Sequence, residues 1–188
     1  NRIVYGGYAQ NSLIKEKNEG DQFYGKFDFP DIEFYTPEPA KDAMELCDEL
    51  FKHKFKHIRT EQGVHEGTYK IHVNFENVCD IGYIPSNINN NYPNVRVEGM
   101  KMTPPELVYI DTLRVYNDPL NSWFRLNKTW SRSSILLRYY PLKLKLNDSR
   151  LRLKNDLPSK IYEEVFRFIR KELLHNTKRI VIGHYGYN

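Results

Sequence analysis

Apolar and polar residues alternate along the first half of the chain in patterns typical of strands and helices. A β-branched run at 2–7, "RIVYGG", predicts a strand, and "YAQNSLIKEKN" at 8–18 predicts a short helix after the two glycines. The alternation in "FDFPDIEFY" at 27–35 predicts a second strand. The Asn-rich stretch at 86–94 has no packing periodicity and is predicted to be a loop. Three further strands are predicted at 57–64, 68–75 and 77–84.

Helical spacing of apolar residues appears in the remaining segments. From 40 to 55 apolar residues recur at this spacing, with Thr36 as the predicted N-cap and Pro37 in the first turn. The run Thr103-Pro104-Pro105-Glu106 predicts a capping box that opens a helix extending to about Asn117. Two more helices are predicted at about 123–137 and 158–175. The predicted fold is therefore mixed α/β, with strands and helices alternating before a helical region.

Composition narrows the class of protein. A chain of 188 residues can bury the core of one domain, and a net charge of +4 is compatible with a nucleotide or nucleic-acid partner without requiring one. Cys47 and Cys79 are too few for a disulfide framework and are expected to be small apolar residues in a reducing compartment. No apolar run approaches the length of a membrane span, so we expect a soluble protein with no membrane partner.

A partial internal repeat occurs near the end of the chain. "RIVYGGYAQN" at 2–11 and "RIVIGHYGYN" at 179–188 agree in register at six positions. The match suggests a second copy of the same fold, of which only the first strand is present. His184 stands where the second glycine would be, which indicates a degenerate copy. Because the chain also opens directly on a strand, it is expected to be a piece of a longer polypeptide.

The acidic residues carry the most chemical information. Asp31 and Glu33 are two apart on a predicted strand, so both side chains leave the same face. Asp80 lies within an apolar run, where a charge is unfavourable unless it is paired or bound to metal. If the two strands are neighbours, these three carboxylates form a cluster of hard oxygen ligands suited to Mg²⁺ or Mn²⁺. Asp28 and Glu76 are alternative members, and a water-exposed sheet face is the simpler explanation of the first pair.

Basic and aromatic residues are concentrated between 125 and 154. Arg125, Lys128 and Arg132 recur at near-helical spacing, which would place them on one helix face able to bind triphosphate or the RNA backbone. Arg125 and Lys128 are the preferred phosphate contacts. A solvated face is the alternative explanation. The candidate base-stacking residues are Tyr139 and Tyr140.

Other site types receive little support. His53 and His57 are four apart, a spacing that can bind zinc, but no third ligand is evident and a solvated helix end is favoured. The chain has no nucleophile-elbow motif, no P-loop and no Cys-x-x-Cys pair, so the corresponding hydrolase, P-loop and zinc-ribbon classes are not indicated.

The segments "VYGG", "DIEF" and "CDI" resemble, in that order, the motifs of the nucleotidyltransferase superfamily of the DNA polymerase β type. A closer resemblance is to the poly(A) polymerase catalytic subunits of large nucleocytoplasmic DNA viruses. It rests on "YGGYAQNSLI", "DIEFYTPEP", "NVCDIGYIP" and "PPELVYIDTLRVYNDPLNSWFRLNKTW", and extends from Arg2 to about Trp130. The gap between Gly7 and Asp31, with an insertion around "KEKNEGDQFYGK", is longer than is usual in the wider superfamily.

The resemblance implies a fold and a domain division. The fold would be a polymerase β-like mixed sheet flanked by helices, followed by a helical segment and the first strand of a second nucleotidyltransferase-like domain. The catalytic core would occupy 1–117, and a basic helical segment packed on it would occupy 118–177. The degenerate repeat would begin at 178–188.

The resemblance also implies an activity. It is the template-independent transfer of AMP from ATP to RNA 3′ ends, with two Mg²⁺ or Mn²⁺ ions held by Asp31, Glu33 and Asp80. Gly6 and Gly7 would let backbone amides approach the nucleotide phosphates. Family members act as homodimers or with a stimulatory subunit, and the expected location is the host cytoplasm, in a viral factory or virion.

Two alternatives stay open from the sequence. The chain could be a non-catalytic nucleotidyltransferase-like module that binds RNA or builds an assembly. It could also be a different nucleotidyltransferase, acting in oligoadenylate synthesis or in adenylyl transfer to small molecules. Retention of all three acids favours an enzyme, since a degenerate copy has no need for them.

Overall fold

The computed structural model describes residues 2–142 and 159–175. The chain divides into two compact units, residues 1–143 and 144–188. The domain boundaries predicted from the sequence stay a prediction. The repeat predicted at 178–188 and the basic residues from 143 to 154 lie outside the described residues.

The first unit contains a seven-stranded sheet and helices that pack on it. Its strands are β1 (Ile3–Tyr5), β2 (Ile32–Thr36), β3 (Arg59–Gln62), β4 (Thr68–Val73), β5 (Glu76–Tyr83), β6 (Val95–Val97) and β7 (Met100–Met102). Its helices are α1 (Gly6–Lys17), α2 (Pro39–Lys52), α3 (Ser86–Asn91), α4 (Pro105–Asn117), α5 (Pro119–Ser122) and α6 (Leu126–Tyr139). Short 3₁₀ turns occupy Glu19–Asp21 and Trp123–Arg125. In the second unit the described residues form α7 (Ser159–Leu174).

The sheet is mixed, as predicted. Its strand order is β3-β4-β5-β2-β1-β7-β6. The pairs β2–β5 and β1–β7 are parallel, whereas the other neighbours are antiparallel. The strands that carry the predicted acids, β2 and β5, are therefore central neighbours.

Two apolar clusters hold the helices on the sheet. One lies among α1, α6 and the strands around β1, and consists of Val4, Ala9, Leu13, Ile14, Val97, Met102, Val108 and Leu136. The other lies under α2 and consists of Ala43, Ile71, Cys79 and Ile81. Cys79 and Ile81 flank Asp80 in β5, and side chains alternate along a strand. The apolar cluster under α2 therefore directs Asp80 to the opposite face of the sheet.

The region between Asp31 and α2 differs from the sequence prediction. The strand begins at Ile32 rather than at 27, and it continues to Thr36, which pairs with Tyr83. Thr36 is thus the end of β2 and not the N-cap of the helix. Its Oγ1 instead accepts a hydrogen bond from the N–H of Glu38 at 3.3 Å, and α2 begins at Pro39.

The predicted capping box at 103–106 is also wrong. Helix α4 begins at Pro105, and its N-cap position is taken by Pro104, which makes no side-chain cap hydrogen bond. Thr103 instead directly follows β7, and its N–H donates to the carbonyl of Val4 in β1 at 2.8 Å. The helix nevertheless ends at Asn117 as predicted.

Several short elements were not predicted, among them α5 and the 3₁₀ turn at Glu19–Asp21. The Asn-rich stretch contains a helix, α3, and a small hairpin follows it in β6 and β7. Glu98 and Gly99 form the hairpin turn, both with positive φ. The helix predicted from 123 begins as a 3₁₀ turn and continues as α6, while α7 lies close to its predicted bounds. Among the described residues, no helix is both long enough and apolar enough to span a bilayer.

Candidate active site

The three predicted acids come together because β2 and β5 are parallel neighbours. Glu33 pairs with Asp80 across the two strands. Asp31 precedes β2 by one residue and lies two positions before Glu33, so its side chain leaves the same face. All three side chains line one pocket of about 330 Å³. They therefore lie on one side of the sheet.

The electrostatics of Glu33 reflect this crowding. Its pKa is raised, first by burial and then by repulsion from Asp31 and Asp80. A hydrogen bond from the backbone of Gly7 and the charge of Lys70 act in the opposite direction. Burial and the neighbouring acids therefore make the charged form of Glu33 less favourable than it is in water.

The di-glycine turn brings helix α1 directly against Glu33. Gly6 follows β1 with φ +68°, and the N–H of Gly7 donates to Glu33 Oε2 at 2.9 Å. A Cβ atom at Gly6 would lie 1.6 Å from the same oxygen, so this position excludes any side chain. Tyr5, at the N-cap of α1, makes no side-chain cap bond, and the first turn carries no acid. Glu33 thus caps the positive end of α1 from another strand.

Asp80 and Asp31 are also held by donors of the protein. Lys70 Nζ donates to Asp80 Oδ2 at 2.5 Å, from the position directly opposite in β4. Asn77 Nδ2 donates to Asp80 Oδ1 at 2.9 Å and to Asp31 Oδ2 at 3.4 Å. Consistent with this pairing, no three Asp, Glu, His or Cys side chains in the described ranges stand together where they could hold one metal ion.

The wall of the pocket formed by α6 and the 3₁₀ turn before it is basic. Arg125, Lys128 and Arg132 all line it, carried by α6 and the 3₁₀ turn before it. None of the three forms an ion pair with another described residue. Arg132 lies with its guanidinium 4.0 Å from the ring centroid of Phe23, and Arg125 stacks on Phe124 at 5.4 Å. Three cations therefore line the same cavity as the acids and are available to an anion.

The comparisons with known proteins bear on this arrangement. The sequence model of the family described as "Poly(A) polymerase catalytic subunit" matches residues 1–122. The chain belongs to this family. A protein of Acanthamoeba polyphaga mimivirus, named as a candidate poly(A) polymerase catalytic subunit, is 35% identical over 94% of the chain. A protein of the same description from African swine fever virus (isolate Pig/Kenya/KEN-50/1950) is 29% identical over 74% of the chain.

A solved structure agrees in fold. The crystal structure of the Megavirus polyadenylate synthase superposes with a TM-score of 0.73 at 38% identity, and covers 82% of this chain. This likeness confirms the predicted nucleotidyltransferase fold. The chain spans about 30% of the length of the two viral relatives and 31% of the Megavirus chain.

In this member of the poly(A) polymerase catalytic subunit family, the pocket brings together the predicted metal ligands and the predicted phosphate contacts. Gly6, Gly7, Arg125 and Lys128 line it together with the three acids. The alternative acids, Asp28 and Glu76, do not line the pocket. Asp28 accepts a hydrogen bond from the N–H of Gly25, and Glu76 lies at the exposed start of β5. The roles assigned to these residues stay predictions.

Several alternatives from the sequence lose support. The hydroxyl of Tyr139 donates to Asp21, and the hydroxyl of Tyr140 donates to the carbonyl of Leu13 at 3.1 Å, so both rings pack beside α1, outside the pocket. His53 lies at the C-terminal end of α2, where its Nδ1 is 2.9 Å from the carbonyl of Glu49.

The two cysteines, Cys47 and Cys79, form no disulfide. Burial raises the pKa of Cys79 to about 12.

Lys70 and Asn77 are the site residues that the sequence did not reveal. Both occupy strands whose alternation fixes the face of a side chain but not its partner across the sheet. The sequence placed Arg132 on the basic helix face but did not select it as a phosphate contact. Asp111, in α4, also lines the pocket and gave no signal in the sequence.

Proposed function

We propose that this chain carries the catalytic site of a polynucleotide adenylyltransferase, which transfers AMP from ATP to the 3′ end of RNA. The observation that carries the proposal is the pairing of Glu33 with Asp80, beside Asp31, in a pocket that three basic side chains also line. Nucleotidyl transfer needs little covalent chemistry from a protein, and depends on positioning and on neutralising charge. Membership of the poly(A) polymerase catalytic subunit family supports the same activity.

We propose that Asp31, Glu33 and Asp80 hold Mg²⁺ or Mn²⁺, in a two-ion arrangement. The donor set fits these ions, since carboxylate oxygens are their preferred protein ligands and three carboxylates line one pocket. Bound divalent ions would supply charge neutralisation at the attacking and leaving oxygens. Asp31 and Glu33 would bridge the two ion positions, and Asp80 would serve one of them.

The remaining residues have proposed roles in binding and proton transfer. Arg125, Lys128 and Arg132 would bind the triphosphate of ATP, because they face the pocket without an anionic partner among the described residues. The RNA 3′ oxygen forms the new bond to the α-phosphorus while the bond to pyrophosphate breaks. Asp80 would accept the proton of the 3′ hydroxyl in this step.

RNA is the proposed acceptor strand. Trp123 and Phe124 are 67% and 61% exposed and their ring centroids are 5.9 Å apart, and Arg125, which lines the pocket, lies over the ring of Phe124. Exposed aromatic rings beside cations are typical of surfaces that stack single-stranded bases. We further propose a homodimer or a stimulatory subunit as partner, in line with the words "catalytic subunit" in the names of the relatives. Their viral sources support a location in the host cytoplasm, in the viral factory or virion.

The test is primer extension. The protein is incubated with a labelled RNA primer, Mg²⁺ or Mn²⁺, and each ribonucleotide separately. We expect lengthening that depends on ATP, and a loss of rate of at least about a hundredfold in Asp31→Ala. Asp28→Ala is the matched control, because it removes an acid three positions away that does not line the pocket. Near-normal incorporation by Asp31→Ala would show that the assignment is wrong.

One observation favours a second function, that of a non-catalytic nucleotidyltransferase-like module. The protein's own donors already engage Glu33 and Asp80, as expected of a site that does not need metal. Nucleotide binding without turnover in the same experiment would support the module. Turnover of ATP with a small-molecule acceptor but not with RNA would instead support a different adenylyltransferase.

A further inference from the structure

Lys70 is the one residue of the site that places a positive charge inside the group of acids. Its Nζ lies 2.5 Å from Asp80 Oδ2, and the two residues are direct partners across β4 and β5. The pair is mostly shielded, since the side chain of Lys70 is 32% exposed and that of Asp80 14%. The same ammonium also opposes the rise in the pKa of Glu33. Lys70 is thus electrostatically coupled to two of the three acids.

The other pocket cations are arranged differently. Arg125, Lys128 and Arg132 line the same pocket and form no ion pair within the described ranges. They are free to meet an incoming anion, whereas Lys70 is already committed to a carboxylate. Its position is therefore that of a counter-ion rather than that of a ligand-binding cation.

We propose that Lys70 is the built-in counter-ion of the carboxylate site, which holds Asp80 in place until a divalent cation displaces it. The inference rests on the proposed function, because it concerns the same three acids. It accounts for the absence, in the described residues, of three acids already arranged around one ion position. Asp80 Oδ2 is occupied by the ammonium and becomes a ligand only when Lys70 swings away.

The two possible roles of Lys70, competing with metal for Asp80 or only bracing Asp80, predict opposite effects of its removal on metal binding. If Lys70 only braces Asp80, its removal lets the carboxylates separate and weakens metal binding. If Lys70 competes for Asp80, its removal leaves an unpaired carboxylate beside Glu33 and strengthens metal binding. Removal should also destabilise the metal-free protein, because a shielded charge loses its partner.

The experiment measures Mn²⁺ affinity by the electron paramagnetic resonance signal of free Mn²⁺, and the melting temperature without metal. The variants are Lys70→Met and Lys70→Gln, of which the second keeps a polar head that can still contact Asp80. Lys52→Met is the matched control, since it removes a lysine that pairs with exposed Glu49 on α2. Asp31→Ala identifies the binding that belongs to the acidic site.

We expect both Lys70 variants to bind Mn²⁺ about tenfold more tightly than the wild type, which is the scale of one neighbouring charge. Their metal-free melting temperature should fall, and Lys52→Met should change neither quantity. Unchanged or weaker Mn²⁺ binding in both Lys70 variants, with wild-type binding abolished by Asp31→Ala, overturns this inference alone. Wild-type protein that binds no Mn²⁺, or binds it equally well after Asp31→Ala, overturns the proposed metal site and this inference with it.

Discussion

Replacement of Gly6 by alanine is the sharpest structural test of the site, because one methyl group would collide with the group of acids. Gly6 has φ +68°, and a Cβ atom there would lie 1.6 Å from Glu33 Oε2 and 2.3 Å from its Cδ. No small adjustment relieves contacts this short. The carboxyl group of Glu33 must leave the N–H of Gly7, from which it accepts a hydrogen bond at 2.9 Å.

The expected loss of stability has two sources. A left-handed conformation costs a residue with a side chain about 1–2 kcal/mol relative to glycine. Loss of a hydrogen bond to a charged group costs about 1.5–3 kcal/mol. Because Glu33 is already destabilised by burial and by its acidic neighbours, part of the second cost is recovered when it moves. We expect Gly6→Ala to lower the free energy of unfolding by about 2–4 kcal/mol.

Gly7→Ala is the matched control on the neighbouring position. Its Cβ atom would meet the hydroxyl of Tyr24 at 2.6 Å and Nη1 of Arg132 at 3.1 Å, which are the ends of flexible side chains. Alanine is also favoured over glycine within a helix by about 0.5–1 kcal/mol, so its stability should stay within about 1 kcal/mol of the wild type.

The assay combines urea denaturation with Mn²⁺ titration of both glycine variants. Gly6→Ala should lose both stability and Mn²⁺ affinity, since displaced Glu33 no longer faces Asp80. Gly6→Ala with the stability and the Mn²⁺ affinity of the wild type would refute the reasoning. Equal losses in the two variants would show that the glycine pair is only a tight turn.

Three further predictions follow from the surrounding contacts. Asp42→Asn should cost about 1 kcal/mol at neutral pH, because it breaks the two-point pair with half-exposed Arg2. Arg2 lowers the pKa of Asp42, so the pair stabilises the fold above the ordinary pKa of 3.8, and this stabilisation is lost as the pH falls through the lowered pKa. Urea denaturation at neutral and at strongly acidic pH measures the difference. Ile81→Ala, at a fully buried position under α2, should cost about 3 kcal/mol in urea denaturation. Arg132→Met should weaken ATP binding about tenfold by calorimetry, while Arg138→Met, which breaks an ion pair with Asp21 outside the pocket, should not.

Each of these has a contradicting outcome. An equal loss in Asp42→Asn at neutral and at strongly acidic pH would show that the charge of Asp42 is not the source. A loss below 1 kcal/mol in Ile81→Ala would mean that the cluster under α2 repacks freely. Identical ATP affinity in the two arginine variants would remove Arg132 from the pocket's function.

Features that depend on local periodicity could be predicted from the sequence. Asp31 and Glu33 share a face because they are two apart on a strand, and Asp80 was notable as a charge inside an apolar run. Arg125 and Lys128 were found by helical spacing. In each case the spacing indicates which side chains share a face, but not what that face meets.

Features that depend on pairing across the sheet could not be predicted. Lys70 faces Asp80 only because β4 and β5 pair in one register, which also contains an irregularity between Ile71 and His72. Strands β6 and β7 have three residues each, too few to show alternation. Thr36 was assigned as a helix cap because the sequence does not reveal that its strand partner is Tyr83.

The most direct test of the central claim is the position of Mn²⁺ in crystals grown with Mn²⁺ and a non-hydrolysable ATP analogue, located by anomalous scattering. The account predicts Mn²⁺ in direct contact with the carboxylates of Asp31, Glu33 and Asp80, with the triphosphate lying toward the basic wall. Mn²⁺ bound elsewhere on the protein, with these three carboxylates still engaged only by Gly7, Lys70 and Asn77, would contradict it.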